Sequence, residues 1–265
     1  MHFPRWLAEG IRAGEVEVPQ PYSGRIRSVS LRTEDVHTMV LWSKDFSRLL
    51  GDEGGLCHAL ATYDQLFCHL TITGLGGTAL EPSISSWTKV VEQAPELIEL
   101  VGDPRRVTVR FDPIVHWRDD GQIRSNFPQG RDILEACAAY GVETICISFA
   151  TLYRKVRRRK GWDWYDPPLT DRLRMVRELV SFAELLGLAI HACSDDSLRE
   201  GGAMPSKCID GELLTQLHPL GLPAPTGKDR GQRPGCGCTP SVDIGSYTMH
   251  CPSGCCYCYA NPVIP

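Results

Sequence analysis

Apolar and polar positions recur with two different periods along the chain, and they predict strands and helices in turn. Strands are predicted at residues 38–43, 67–73, 106–112, 143–149 and 188–193, with a weaker one at 25–31. Helices are predicted between and after these strands, at residues 55–63, 85–101, 131–140, 170–186 and 209–217. Strands that alternate with helices indicate a parallel sheet. A repeat of about 35–40 residues suits the β/α units of a barrel or of an open doubly wound sheet.

Several predicted strands carry polar side chains opposite an apolar face. The side chains in question are those of Thr73, Arg110, Asp112, Ser148 and His191. Successive side chains of a strand point to opposite faces, and the outer face of a β/α barrel must be apolar because it packs on helices. We therefore expect these polar side chains to line an inner cavity that holds a polar ligand. A polar layer that satisfies its own hydrogen bonds is the alternative.

The pattern changes after residue 200. Apart from the helix predicted at 209–217, residues 201–265 are rich in Pro, Gly and Cys, so little regular structure is expected there. We predict a TIM-barrel-like parallel β/α barrel, complete or incomplete, over residues 1–200. Residues 201–265 are predicted to form a cysteine-rich, iron–sulfur-binding segment of the same domain, because metal ligation would stabilise a segment with so few regular elements.

Composition limits the classes of protein to which the chain can belong. Its 265 residues suffice for one large domain, and a net charge of -4 with a pI near 6.1 argues against a general nucleic-acid binder. No long apolar run and no signal peptide are apparent, so we expect a cytoplasmic protein without a membrane partner. Because the cytosol is reducing, clustered cysteines among the 12 in the chain are more often metal ligands than disulfides.

The strongest motif is formed by Cys251, Cys255 and Cys258, which give C-x3-C-x2-C with Tyr257 just before the third cysteine. Three thiolates in a tight loop can each bind one iron of a 4Fe–4S cluster and leave the fourth iron open. An open iron can chelate the amino and carboxylate groups of S-adenosylmethionine (SAM), and the reduced cluster can break a carbon–sulfur bond of SAM. Zinc held by two of these thiols and two preceding cysteines is one alternative, and a cluster for electron transfer alone is another.

Four more cysteines are predicted to bind a second metal centre: Cys193, Cys208, Cys236 and Cys238. The first of them ends a predicted strand, where the active sites of barrels lie. Four thiolates complete a closed site, and an auxiliary 4Fe–4S cluster is favoured over zinc because the neighbouring site is already loaded with iron. The remaining cysteines are interpreted as having no metal. Cys256 lies between two proposed ligands and points away from them, and the others are small apolar core residues: Cys57, Cys68, Cys137 and Cys146.

At the cysteine motif the chain resembles the radical SAM superfamily, whose motif is C-x3-C-x-aromatic-C, and in particular its spore photoproduct lyase branch. A closer resemblance covers nearly the whole chain and is to the family called domain of unknown function 1848. It is carried by residues 29–36, 41–44, 70–74, 110–114 and 236–261. The resemblance implies a TIM-barrel-like fold and gives no substrate.

Two departures from the resembled proteins bear on the fold. In most radical SAM proteins the motif follows the first strand, whereas here it ends at Cys258. We therefore expect the C-terminal segment to fold back across the mouth of the barrel. Relatives usually begin with a strand that reads Ser-Arg-Arg-Thr-Asp-Ile-Pro, and this chain starts after that point, so closure of the barrel is in question.

These observations together predict a radical SAM enzyme that cleaves SAM reductively and starts radical chemistry on an unknown small-molecule or peptide substrate. Arg110 and Asp112 are the predicted catalytic residues, and the predicted cofactor-binding residues are Thr73, Gly74, Ser148, His191 and Tyr257. A one-electron donor such as flavodoxin or ferredoxin is expected, and the basic run at 154–160 either docks it or is a solvated helix face. A non-catalytic zinc or iron–sulfur electron-transfer protein is the alternative, and nucleic-acid repair rests on analogy alone.

Overall fold

The structure, a computed structural model, describes residues 1–20, 24–245, 249–260 and 262–264. Its strands are β1 (Glu15–Pro19), β2 (Ile26–Ser30), β3 (Met39–Ser43), β4 (Leu66–Thr71), β5 (Val107–Ile114), β6 (His116–Asp119), β7 (Gln122–Ser125), β8 (Thr144–Phe149), β9 (Asp163–Tyr165), β10 (Ala189–Ala192) and β11 (Met204–Pro205). Its helices are α1 (Pro4–Ala13), α2 (Ser47–Leu50), α3 (Leu56–Leu60), α4 (Trp87–Val91), α5 (Ala94–Val101), α6 (Gly130–Ala139), α7 (Arg154–Arg157), α8 (Leu169–Leu185) and α9 (Gly211–Leu217).

A six-stranded parallel sheet forms the centre of the molecule. Its strand order is β3-β4-β5-β8-β10-β11, so each strand lies beside the next sheet strand along the chain. The sheet is not closed. In the described part of the chain no strand joins β3 to β11, and β1 and β2 pair with each other in a separate antiparallel hairpin. The sequence left open whether the predicted barrel is complete, and the structure is a mixed α/β fold whose six-stranded parallel sheet is open.

The outer face of this sheet is apolar and packs on helices. Val107, Val109 and Phe111 of β5 are completely buried, as their alternation with polar residues predicted. Gly130 begins α6 where the helix comes closest to the sheet, and a Cβ atom at this position would lie 3.1 Å from the ring of Phe111. Burial of each large apolar side chain contributes about 1.5–3 kcal/mol to stability.

The inner face of the sheet is polar and also buried. His69 of β4 is 2% exposed and Arg110 of β5 is 6% exposed. The segment that follows β11 covers them, and an imidazole nitrogen of His69 hydrogen bonds with the carbonyl oxygen of Cys208 at 2.8 Å. The loop-rich segment therefore lies over the inner face.

Three further observations adjust the predicted elements. The helix predicted at 85–101 is split into α4 and α5, because Pro95 near the start of α5 cannot continue the preceding helix. The weaker strand predicted at 25–31 is β2, which lies outside the parallel sheet. The sequence did not predict α1 or the antiparallel sheet β7-β6-β9. No helix in the described ranges is both long and apolar enough to cross a membrane.

Candidate metal and cofactor site

The C-terminal cysteine motif forms a compact loop against the loop that follows β4. The amide of Cys256 donates to the carbonyl oxygen of Leu80 at 3.0 Å, and the amide of Cys258 donates to that of Cys255 at 3.1 Å. Cys255 is 4% exposed, whereas Cys251 and Cys258 are partly exposed. The hydrogen bond between Cys258 and Cys255 closes a turn between two of the predicted ligands, so the motif folds as a tight loop.

A buried carboxylate fixes this loop to the sheet. Glu81 is 1% exposed, and its Oε1 atom accepts hydrogen bonds from the hydroxyl groups of Tyr257 and of Thr73, the latter at 2.5 Å. Lys44 Nζ lies 3.1 Å from the same oxygen and 5.7 Å from the ring centroid of Tyr257. Lys44 directly follows β3, so the motif lies at the carboxyl ends of the first two strands of the parallel sheet.

The electrostatic surroundings of the three motif thiols differ. Burial raises the pKa of Cys255 to about 12, and the positive charge of Lys44 opposes this shift. Burial also tends to raise the pKa of Cys251, but hydrogen bonds with His2 and Ser253 outweigh this effect. The pKa of Cys251 is therefore lowered to about 7. Part of the Cys251 population is thus a thiolate at neutral pH, which is the form that binds metals.

The fourth cysteine of this loop faces away from the others. The Cys256 sulfur donates to the carbonyl oxygen of Ala79 at 3.4 Å, and its backbone carbonyl accepts from the guanidinium of Arg159. This placement agrees with the interpretation of Cys256 as a bystander. The other three thiols are those of the C-x3-C-x2-C spacing.

A second group of thiols lies on the inner face of the sheet. The sulfur of Cys193, just after β10, is 3.6 Å from that of Cys208. Cys146 of β8 and Cys238 of the loop-rich segment also reach Cys208, and Cys236 reaches Cys238. The four thiols predicted from the sequence thus lie near one another, and Cys146, interpreted from the sequence as a plain core residue, is buried beside them.

Within this second group, the thiolate form is favoured most at Cys208. Hydrogen bonds from Cys146, Cys193 and Cys238 lower the pKa of Cys208 far below its usual range. Arg110 donates from Nη1 to the Cys208 sulfur at 2.9 Å. Within the described ranges, no three Cys, His, Asp or Glu side chains already converge on one point at metal-ligand distance. The thiols thus stand as close neighbours around a guanidinium.

The predicted cofactor and substrate residues separate into two places. Arg110 Nε donates to Asp112 at 3.1 Å, and Ser148 donates to the other oxygen of the same carboxylate, so these three form one chain beside Cys208. His191 hydrogen bonds with the carbonyl oxygen of Pro205 at 3.1 Å and lies at the β11 side of the sheet.

The other predicted cofactor residues lie at the C-terminal cysteine loop. Thr73 and Tyr257 meet there through Glu81. Gly74 has a positive φ of 77° and packs on Gln129. A Cβ atom added at Gly74 would lie only 2.8 Å from the Cβ atom of Gln129. A cavity of about 10 Å³ borders Thr73, Gly74 and Glu81, which is room for about one water molecule.

Comparison with known proteins places the chain in a family. The sequence model of the family described as "Domain of unknown function (DUF1848)" matches residues 1–260. The chain belongs to this family. No curated protein matches it. Membership in DUF1848 agrees with the resemblance noted on the quoted stretches, although Asn261 at the end of the last stretch lies outside the described residues.

Four residues of the site escaped the sequence analysis: Lys44, Glu81, Cys146 and Arg159. Glu81 follows the glycine-rich turn at 74–77, and a lone carboxylate there gives no signal of burial. Cys146 lies between isoleucines, a context in which a cysteine is usually a small apolar residue. Arg159 belongs to the basic run, and only the packing of the C-terminal loop shows that one of its members contacts the motif.

Proposed function

We propose that this DUF1848 protein is a radical SAM enzyme, with Cys251, Cys255 and Cys258 as the ligands of a 4Fe–4S cluster. One observation carries the proposal: the three cysteines share a compact loop that docks beside Lys44, directly after the first strand of the parallel sheet. In most radical SAM proteins the motif follows the first strand in sequence. Here the motif is distant from the first strand in sequence, and its loop docks beside the residue that follows that strand, which supports the proposal.

The bound cluster with SAM would supply one electron to the sulfonium of SAM and so break one carbon–sulfur bond. The chain's own residues hold the cysteine loop in place. Glu81 accepts from Tyr257, which stands between two of the ligands, and Lys44 balances the carboxylate. Because Tyr257 and Glu81 are buried, this arrangement also excludes water from one side of the loop.

The chain of Arg110, Asp112 and Ser148 offers groups that can orient a polar substrate. Asp112 is partly exposed, with 19% of its side-chain surface accessible, and the guanidinium of Arg110 compensates its charge. Its carboxylate can accept a hydrogen bond from a hydroxyl or amino group of a substrate, while Arg110 and Ser148 hold it in position. These residues remain the proposed substrate-binding set.

An electron donor can approach beside the cysteine loop. The basic run at 154–160 contains α7 and exposes most of its cationic side chains, and Arg159 contacts the backbone of Cys256 within the motif. An acidic one-electron donor such as flavodoxin or ferredoxin would find complementary charge next to the cluster ligands. This contact supports a docking role for the basic run over the alternative of a solvated helix face.

The experiment is SAM cleavage by the anaerobically reconstituted protein with dithionite as reductant. Methionine release from SAM is expected from the wild type and from Cys256→Ala, and it should be lost in Cys255→Ala. The two cysteines are adjacent and equally buried, at 4% and 5% exposure, so Cys256→Ala controls for general disturbance of the loop. Full cleavage by Cys255→Ala would refute the ligand assignment. A colourless protein that contains zinc and binds no SAM would establish the non-catalytic alternative instead.

A further inference from the structure

A group of five thiols lies apart from the C-terminal motif and is not used by the proposed reaction. Its members are Cys146, Cys193, Cys208, Cys236 and Cys238. We propose that four of them, Cys146, Cys193, Cys208 and Cys238, hold a single divalent metal ion in a closed tetrahedral thiolate site, with Cys236 beside it. This inference does not depend on SAM chemistry.

The contacts within the group select these four. Cys146, Cys193 and Cys208 each contact the other two, and Cys238 contacts Cys208. Among the five, Cys236 contacts Cys238. The structure therefore assigns the fourth position to Cys146, which extends inward from β8.

One pair of sulfurs has the separation that a single ion requires. Metal–sulfur bonds of about 2.3 Å in a regular tetrahedron place the sulfurs about 3.8 Å apart. The Cys193 and Cys208 sulfurs are 3.6 Å apart. The ligands of a 4Fe–4S cube each bind a different iron and must stand farther apart than this. The separation favours a single ion over the auxiliary cluster that the sequence suggested, and thiolates with tetrahedral geometry favour zinc.

A buried guanidinium lies beside the proposed site and can compensate its negative charge. Four thiolates around a divalent ion leave a net charge of −2, which is costly to bury without compensation. Arg110 is 6% exposed and donates to the Cys208 sulfur at 2.9 Å. A donor to a ligand sulfur both orients the ligand and offsets its charge.

The ion would tie the loop-rich segment to the sheet. Two of its ligands come from the sheet region, at β8 and just after β10, and two come from loops on either side of α9. Between α9 and residue 245 the structure describes no helix or strand, yet Cys236 and Cys238 are buried. The amide of Ile209 reaches the Cys238 sulfur at 3.5 Å, and the amide of Thr239 donates to the carbonyl oxygen of Ile209 at 2.9 Å. A closed structural site is the arrangement expected where a segment lacks regular structure.

The test uses a full-length chain in which Cys251, Cys255 and Cys258 are all replaced by Ala, so no metal can belong to the C-terminal motif. After anaerobic purification, elemental analysis should find about one zinc or iron atom per chain. After chelation, titration with Co²⁺ should saturate at about one equivalent, with the strong visible absorption of tetrahedral cobalt–thiolate. Adding Cys208→Ser should abolish this absorption, whereas adding Cys57→Ser, outside the group and only partly buried, should leave it unchanged.

Two further variants decide the ligand set. In the same background, Cys146→Ala should weaken Co²⁺ affinity by about a hundredfold or more, and Cys236→Ala by less than about tenfold. Circular dichroism of both variants verifies folding, and Cys238→Ser repeats the test on a loop position if Cys146→Ala does not fold. The inference is overturned if the triple variant binds no Co²⁺ in tetrahedral form, if Cys236→Ala is the more damaging change, or if the intact mass shows a disulfide between Cys193 and Cys208. Failure of SAM cleavage in the wild type would leave all these results unaffected.

Discussion

Removal of the Glu81 carboxylate should release the C-terminal cysteine loop from the sheet. Its Oε1 atom accepts from Thr73 and Tyr257 and faces Lys44 at 3.1 Å, in a position that is 1% exposed. Replacement of Glu81 by Ala leaves an ammonium and two hydroxyl groups without their common partner. We expect this change to lower both the stability of the protein and the occupancy of the proposed cluster.

The magnitude follows from the burial of the group. Loss of one partner from a buried charge pair costs about 3–5 kcal/mol, because the other charge is left uncompensated. The side chain of Lys44 is 16% exposed and can be partly rehydrated. The loss of stability in Glu81→Ala should therefore lie at the lower end of this range, near about 3 kcal/mol. Glu81→Gln keeps an acceptor oxygen and should cost about 1–3 kcal/mol, and Tyr257→Phe should cost about 1–2 kcal/mol.

Urea denaturation under anaerobic, reducing conditions measures these changes, and iron analysis measures occupancy. The double variant Glu81→Ala/Tyr257→Phe should lose at least about 0.5 kcal/mol less than the sum of the single variants, because both changes remove the same contact. The matched control is Glu178→Gln, whose ion pair with Arg131 is half exposed at 3.8 Å and should contribute less than about 0.5 kcal/mol. A cost below about 1 kcal/mol for Glu81→Ala, with unchanged iron content, would refute the reasoning.

Three further predictions concern other parts of the molecule. Arg158→Glu should raise the KM for an acidic electron donor at least about threefold at low salt, with little effect at high salt and none on dithionite-driven cleavage. Gly211→Ala should cost at least about 2 kcal/mol in thermal unfolding, because its Cβ would lie 1.8 Å from the Pro225 carbonyl oxygen. Gly227→Ala meets nothing within 4 Å and should be neutral. Burial lowers the pKa of His116 from 6.5 to about 4, so the unfolded state binds more protons and stability should fall as pH drops through this window. His116→Phe should remove about 3 kcal/mol from the loss of stability between pH 6.5 and pH 4, and an unchanged pH dependence would contradict the assignment.

The sheet could be predicted because its strands are buried on both sides and carry an apolar face with period 2. β5 shows this most clearly, since Val107, Val109 and Phe111 are fully buried and Arg110 points to the opposite face. The antiparallel sheet β7-β6-β9 escaped prediction because its strands are three or four residues long and mostly exposed. Closure of the sheet depends on pairing between distant segments, which local patterns do not report.

The candidate sites could be predicted in part. The motif at Cys251, Cys255 and Cys258 is evident from its spacing, and Cys193, Cys208, Cys236 and Cys238 were grouped because cysteines are dense in this part of the sequence. Cys146 was missed because it lies on β8, about ninety positions before Cys238. Cys146 was therefore assigned to the core on local grounds, and Glu81 was passed over because its burial arises from tertiary packing alone.

Docking of the C-terminal cysteine loop against much earlier strands sets an order of assembly. Glu81 and Tyr257 are separated by 176 positions in the chain, so the carboxylate lacks this partner until the C-terminal segment has folded back onto the sheet. Contacts between segments so distant in sequence must overcome a large loop-closure entropy and form slowly. The loop would therefore dock late in folding, onto a sheet whose strands have already paired.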